Sequence, residues 1–306
     1  MRVALLFIDG VGIGARDPAR NPLARGEYLI SHFDDGTGTA LPHGGRFKAV
    51  DPTFGVEGRP QSASNQTSLL TGQPAPKLLG QHLMGYPDED LRAIITEHSI
   101  VKTLIARGRT AAFANAYPAG FLDHVQLERM PSATSDLPGP LPSSRRIGAS
   151  AGPLAFAAGG VPIRTFDDVR RGKGLTHDID GRLAQQRFKD LPLRTPNEAA
   201  AVFWALSRDF THFEHYLADE AGHHRDAASA EAAISTFDAF ARAVIDQRPA
   251  DAQVLVTSDH GNVEDLSTRS HTRNFVPLLG FGPASDAIAE VNSLAEVGQL
   301  VLRLLQ

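Results

Sequence analysis

The sequence predicts an α/β layered fold built on a mainly parallel sheet. Short apolar runs alternate with segments of helical periodicity along most of the chain, which is typical of strand–helix units. Two of these runs, residues 3–8 and 253–257, end close to an acidic residue and a glycine, as expected at the carboxyl ends of parallel strands. The chain has 306 residues, 42% hydrophobic and 21% charged, which suits one large domain with a modest insertion.

Each predicted element follows from its local pattern. Strands are predicted at 3–8, 110–115, 210–217 and 253–257, and helices at 66–72, 98–107, 196–207, 226–247 and 293–305. Residues 118–194 are richer in Pro and Gly and show weak periodicity, which indicates an inserted cap or a long functional loop. We therefore predict a core of residues 1–117 and 195–306 with a small inserted cap at 118–194.

Charge and composition exclude several classes of function. The formal net charge is -5 and no Lys/Arg block is present, so we expect a small-molecule partner and no nucleic acid. There are no cysteines, so any metal must be held by oxygen and imidazole ligands. The apolar run at 3–8 is too short for a signal peptide or a membrane span, so we expect a cytoplasmic protein without membrane contact. The sequence carries no signal for an oligomeric state.

Candidate functional residues follow the first predicted strand and precede the first predicted helix. Asp9 comes directly after the strand and is followed by glycines that permit a tight turn, although alone it is typical of a turn residue. The glycine spacing is not that of a dinucleotide-binding loop. Ser62 precedes an apolar helical run, where a hydroxyl is typical of a helix cap. The same position suits a nucleophile, because a helix N-terminus attracts a phosphoryl group.

Further acids and imidazoles follow the predicted strands in the second half. Asp219 and His223 come after the strand at 210–217 and are four residues apart, so they can reach one ion if the segment is helical or tightly turned. Asp259 and His260 end a buried strand, where a carboxylate beside an imidazole is costly unless the two are paired or share a cation. His271 follows twelve residues after Asp259 and alone is typical of a surface residue. Together, these ligand types at three strand ends predict a site for Zn²⁺ or Mn²⁺.

In order and spacing, these segments resemble the alkaline phosphatase superfamily. The resemblance covers roughly residues 1–117 and 195–306 and rests on DGVG at 9–12, DEAGH at 219–223, and SDHGN at 258–262 followed by HTRNFVP at 271–277. Within the superfamily it is nearest to cofactor-independent phosphoglycerate mutase and phosphopentomutase. It implies a three-layer α/β/α fold with a mainly parallel sheet.

The resemblance also implies the role of each site residue. One ion is expected at Asp219, His223 and His271, and a second at Asp9, Asp259 and His260, with Ser62 as the nucleophile that touches the second ion. The ions are expected to be Mn²⁺ or Zn²⁺, with Mg²⁺ as an alternative. The mutases commonly have Gly-His in the stretch after the nucleophile, where this chain has Asn65-Gln66. That departure affects the expected contacts to the phosphate and not the metal site.

The size of the insertion favours hydrolysis. A mutase must shield its phosphoenzyme from water, and the mutases carry a large cap, whereas here the insertion at 118–194 is short. We therefore expect a two-metal phosphatase or phosphodiesterase acting on a small phosphate ester, with a phosphomutase as the first alternative and an inactive metal-binding module as the second. The insertion also contains side chains that could contact substrate, namely Arg145, Arg146, Lys173, His177, Asp178 and Asp180.

Overall fold

The computed structural model describes residues 1–125 and 148–306. Arg145 and Arg146, two of the candidate substrate contacts, lie outside the described residues. Within the described part, no helix is both long enough and apolar enough to cross a membrane.

A six-stranded sheet forms the centre of the molecule. Its strands are β1 (Arg2–Ile8), β2 (Arg46–Val50), β3 (Ala111–Phe113), β6 (Phe210–His215), β7 (Ala252–Thr257) and β8 (Val276–Phe281), while β4 (Ala116–Tyr117) and β5 (Arg164–Thr165) form a separate two-stranded sheet. The strand order is β2-β8-β7-β1-β6-β3. The four strands from β7 to β3 are mutually parallel, and β8 and β2 add two antiparallel strands at one edge.

Helices cover both faces of the sheet. They are α1 (Ser62–Thr71), α2 (Ala75–Leu79), α3 (Glu89–His98), α4 (Ile100–Ala106), α5 (Ala151–Ala158), α6 (Phe166–Arg170), α7 (Arg182–Arg187), α8 (Pro196–Leu206), α9 (Leu217–His224), α10 (Ala227–Asp246) and α11 (Leu294–Leu304). Side chains alternate along β1, so Leu6 packs with α8 and α10 on one face and Leu5 packs with α1, α5 and α11 on the other. The predicted α/β fold with a mainly parallel sheet is confirmed.

The helix predicted at 98–107 is α4 (Ile100–Ala106), which begins after Ser99, whose side chain accepts a hydrogen bond from the Lys102 amide. The helix α3 that precedes it was not predicted. The antiparallel strand β8 was not predicted, although its six residues are all buried.

The segment predicted as an inserted cap packs into two different apolar clusters. Helix α5 packs against α1 and α3, and its Leu154 and Phe156 belong to the same apolar cluster as Leu5 of β1. Strand β5 and helix α6 lie with β4 in a smaller apolar cluster around Val169. The division at 118 and 194 stays a prediction.

Candidate metal centre

The candidate metal centre lies where three neighbouring parallel strands end. Asp9 directly follows β1, and Asp259 follows β7 after one intervening serine. Strand β6 leads into α9, which carries Asp219 in its first turn. Because β6, β1 and β7 are adjacent and parallel, their carboxyl ends meet at one edge of the sheet, where open α/β sheets bind ligands.

The structure brings the predicted ligands together in the two predicted groups. Within each group, one ligand atom per residue lies within 4.8 Å of the others. The first group is Asp219, His223 and His271, and the second is Asp9, Asp259 and His260. The ring planes of His260 and His271 stack with their centroids 3.7 Å apart, so the two groups are in direct contact.

The first group presents two imidazole nitrogens to one point. Asp219 and His223 are one helical turn apart on α9, with His223 Nε2 3.2 Å from Asp219 Oδ2. The Nδ1 atoms of His223 and His271 each lie 2.8 Å from a backbone carbonyl, of Arg269 and Pro60. Each Nδ1 therefore donates its hydrogen, and the two Nε2 atoms lie 3.1 Å apart. Both Nε2 atoms and the Asp219 carboxylate thus converge on one point, an arrangement that a shared cation fits.

Protonation in the first group suits metal binding. Burial, followed by the neighbouring His260, lowers the pKa of His271 to about 4. Burial acts to raise the pKa of Asp219, but the hydrogen bond with His223 and the other histidines hold it below its usual range. Near neutral pH, His271 is therefore a neutral imidazole and Asp219 an ionised carboxylate.

The second group places two buried carboxylates beside one imidazole. His260 Nε2 lies 3.3 Å from Asp9 Oδ1 and 3.6 Å from Asp259 Oδ2, and all three side chains are buried. Burial first, and then the charges of Asp259 and Asp219, raise the pKa of Asp9 well above its usual value. Asp9 Oδ1 is buried and has no hydrogen-bond partner in the described part of the chain. A cation would offset this repulsion and satisfy the oxygen.

The spacing of the ligand atoms also fits a metal ion. Ligands about 2.0 Å from a tetrahedral ion lie about 3.3 Å from one another. The distances in the first group are 3.1 Å, 3.2 Å and 3.7 Å, and in the second group 3.3 Å and 3.6 Å. The residues present therefore fit two divalent cations.

Ser62 lies against the second group. It is the first residue of α1 and is half-buried, with its Oγ 2.9 Å from His260 Nε2. The N-cap residue Gln61 makes no side-chain cap hydrogen bond. The predicted nucleophile is therefore at the positive end of a helix dipole and next to the predicted ligands.

Asn65 and Gln66, which stand where the mutases commonly have Gly-His, contact the acidic ligands. The Asn65 side-chain amide donates to the backbone oxygen of Asp259 at 2.8 Å. The Gln66 amide donates to Asp259 Oδ2 at 2.9 Å and to Asp9 Oδ2 at 3.2 Å. The departure from the mutase pattern therefore affects the surroundings of the second group.

Glu264 is a buried residue of the site that the sequence analysis missed. Its carboxylate accepts hydrogen bonds from the backbone amides of Gly12 at 3.0 Å and Asn262 at 2.7 Å. It also accepts from the Thr272 hydroxyl, and from the Asn274 amide at 3.0 Å. These donors belong to the loops that carry Asp9, His260 and His271. Glu264 thus joins three separate ligand-bearing segments.

The position of Glu264 also explains two motif glycines. A Cβ atom on Gly12 would lie 2.4 Å from Glu264 Oε1, and one on Gly261 would lie 2.1 Å from it. Gly10 is required for a different reason, because its φ is 76° and a Cβ there would meet the Asp219 side chain at 2.7 Å. An acid following SDHGN by two residues could have drawn attention to Glu264, but nothing in its periodicity marks it.

We expect Glu264→Gln to destabilise the fold by about 2 to 4 kcal/mol, since an amide nitrogen would then face hydrogen-bond donors in a buried site. The measurement is thermal and denaturant unfolding of the metal-free protein. Glu290→Gln, at an exposed position, is the matched control and should unfold like the wild type. Equal stability of Glu264→Gln and the control would show that the carboxylate does not join the loops.

The remaining candidate residues lie away from the two metal groups. His212 and His215 are buried on β6, while Glu220 and His224 of α9 are exposed. Lys173 is exposed, and the backbone oxygen of His177 accepts a hydrogen bond from His215. Asp178 and Asp180 line a separate cavity of about 450 Å³, whose wall includes Glu220 and His224. That cavity lies on a different face of α9 from Asp219 and His223.

Solved structures with a similar fold include alkaline phosphatases. The alkaline phosphatase of the Antarctic bacterium TAB5 superposes with a TM-score of 0.55 and 15% identity, over 99% of this chain and 98% of that chain. A cold-active alkaline phosphatase from Shewanella sp. gives a TM-score of 0.51 and 14% identity, over 100% of both chains. Sequence identities this low establish a shared fold and carry no information on activity.

Sequence comparison finds one family model and one relative that each match part of the chain. A model of the Metalloenzyme superfamily matches residues 196–306, the region that holds Asp219, His223, Asp259, His260 and His271. This match supports the predicted resemblance to the alkaline phosphatase superfamily. A phosphopentomutase of Legionella pneumophila is 28% identical over 150 residues, which are 48% of this chain and 35% of that enzyme. The chain thus spans about a third of that relative's length.

Proposed function

We propose that the protein is a two-metal phosphatase or phosphodiesterase that acts on a small phosphate ester through Ser62. The observation that carries this proposal is the position of the Ser62 Oγ, 2.9 Å from His260 Nε2 and beside two groups of ligands. A protein that only stored or sensed metal would have no need of a hydroxyl at that point. This supports catalysis over the inactive binding module.

The surroundings of Ser62 suit phosphoryl transfer. The N-terminus of α1 presents backbone N–H groups and a positive dipole end to a phosphoryl group. The acidic ligands give the site a large negative charge that would repel a phosphate ester. Two divalent ions, when bound, would neutralise this charge, lower the pKa of the Ser62 hydroxyl, and stabilise the charge of the attacking and leaving oxygens. Asp219, His223 and His271 would hold one ion, and Asp9, Asp259 and His260 the other.

The reaction proceeds in two displacements. Ser62 loses its proton to solvent and its Oγ forms a bond to phosphorus as the bond from phosphorus to the ester oxygen breaks, so that the alcohol leaves and takes up a proton. Water then displaces the Ser62 oxygen, which releases the phosphate product and restores the hydroxyl. The loops that carry the ligands meet at one point, which keeps the reacting groups aligned through both steps.

The ligand chemistry favours Mn²⁺ or Zn²⁺, with Mg²⁺ as the third candidate. Each group mixes carboxylate oxygen with imidazole nitrogen, and these divalent ions accept such a mixture. Imidazole makes Mg²⁺ the least favoured of the three, since Mg²⁺ prefers oxygen ligands.

A phosphomutase is the second candidate, because the curated relative is a phosphopentomutase. The two reactions share the phosphorylated Ser62 and differ in what accepts the phosphate. The short segment 118–194 supports hydrolysis, since a mutase must exclude water from the phosphoenzyme until the phosphate returns to the substrate.

Supplied at saturation with a phosphorylated sugar or glycerate, the metal-loaded protein should release inorganic phosphate in step with substrate loss. The reason is that water is expected to reach the phosphorylated serine before a sugar hydroxyl does. The measurement is a free-phosphate assay run beside ³¹P NMR of the same mixture. Phosphate that appears at a new position of the same molecule, without free phosphate, would establish the mutase.

A further inference from the structure

Gln66 connects the two acids of the second ligand group. It lies on α1 one helical turn after Ser62, so the two side chains project from the same side of the helix. Its side chain is buried, and its single amide nitrogen lies 3.2 Å from Asp9 Oδ2 and 2.9 Å from Asp259 Oδ2. An amide nitrogen carries two hydrogens, so each hydrogen bonds to one carboxylate.

These two hydrogen bonds fix one oxygen of each acid. With Asp9 Oδ2 held by Gln66, Asp9 Oδ1 is directed toward His260 Nε2 at 3.3 Å. Asp259 is held in the same way through Oδ2, while its Oδ1 accepts a hydrogen bond from the His260 amide at 3.0 Å. The orientation of both carboxylates is therefore set by the protein itself.

The chemistry of an amide suits this position. Two buried carboxylates so close together repel each other, and hydrogen bonds from Gln66 reduce that repulsion without adding a charge. A lysine or arginine would neutralise the acids and compete with an incoming cation, and a glutamate would add a third negative charge. A neutral side chain with two N–H donors keeps the two carboxylates close together. Their negative charge then remains available to bind an ion.

We propose that Gln66 is a positioning residue that orients Asp9 and Asp259 for the second ion and so raises the affinity of that group for metal. This inference rests on the proposed function, because it requires Asp9, Asp259 and His260 to hold an ion. Gln66 acts through the two carboxylates and does not bind the ion itself.

The test is a calorimetric titration of the metal-free protein with Mn²⁺, which measures the number of bound ions and the affinity of each. In Gln66→Met, which keeps the length of the side chain and removes the donor, one of the two affinities should fall by about 10-fold or more while the other is unchanged. Gln66→Leu is the second variant if the first does not fold. Gln66→His, which restores an N–H donor and is the residue common in the mutases, should recover most of the lost affinity.

The matched control is Gln299→Met, which also removes a side-chain hydrogen bond to the α1 region, at Gly72 O, 2.8 Å away and at the far end of the helix. It should bind both ions as the wild type does. Unchanged affinities in Gln66→Met, or an equal loss in Gln66→Met and Gln299→Met, would overturn the proposal and leave Gln66 with a structural role. If the wild type itself binds fewer than two ions, the proposed metal centre fails, and the role of Gln66 fails with it.

Discussion

Ser62→Ala should abolish turnover while the protein still binds both metal ions. The variant loses the hydroxyl that attacks phosphorus, and a water at the same place cannot form the covalent intermediate, so we expect kcat to fall by about 10³-fold or more. All six of the proposed Asp and His ligands remain. The measurement is hydrolysis of a chromogenic aryl phosphate, together with metal analysis of the purified variant.

Ser64→Ala is the control for this experiment. Ser64 lies two residues further along α1, is buried, and hydrogen-bonds to Gln61 and Leu83 away from the ligand groups. It should therefore keep most of the wild-type activity. The assignment of Ser62 is wrong if its alanine variant stays active, and loss of activity in Ser64→Ala alone would move the nucleophile to that residue.

Asp259→Asn and His260→Ala should each remove one metal equivalent and nearly all activity. The asparagine supplies an oxygen without the charge, and the alanine supplies no ligand, so the second group can no longer hold its ion at the affinity of the wild type. The first group, with Asp219, His223 and His271, should keep its ion. Metal analysis of protein purified without chelator measures this directly.

Glu220→Gln and His224→Ala are the matched controls, since both residues are exposed on α9 and belong to neither ligand group. Both controls should retain two equivalents. Two bound metal equivalents in Asp259→Asn and His260→Ala as well would show that the assignment of the second group is wrong. Loss of both ions in these two variants would instead show that the groups bind metal cooperatively.

The sequence predicted those site residues that come just after buried strands. A carboxylate beside an imidazole after a buried strand has few structural roles, so Asp259 and His260 could be picked out from their positions, and Asp9 became a candidate together with them. His271 could not, because a histidine in a loop carries no such signal. It was a weak candidate until the HTRNFVP resemblance gave it a ligand role, and the structure places its ring against that of His260.

The residues that the sequence did not predict depend on contacts across long chain distances. Glu264 accepts a hydrogen bond from the Gly12 amide, 252 positions away, and Gln66 bonds to Asp9 and Asp259, which lie 57 and 193 positions away along the chain. Such contacts leave no periodicity in the sequence. Strand β8 was missed for a related reason, since its short apolar run VPLLGF could equally be a buried helical segment.

The strand order has a consequence for the synthesis of the chain. Strand β1 lies between β6 and β7, and its Leu5 pairs with His212 on one side and Leu255 on the other. The ribosome therefore produces the central strand long before either neighbour, so one of its backbone edges has no partner until residue 215 has been added and the other has none until residue 257. A product truncated after β6 would leave one edge of this apolar strand open to other chains. The region 196–306, translated by itself, would lack the strand that β6 and β7 both pair with, so we expect it not to fold alone.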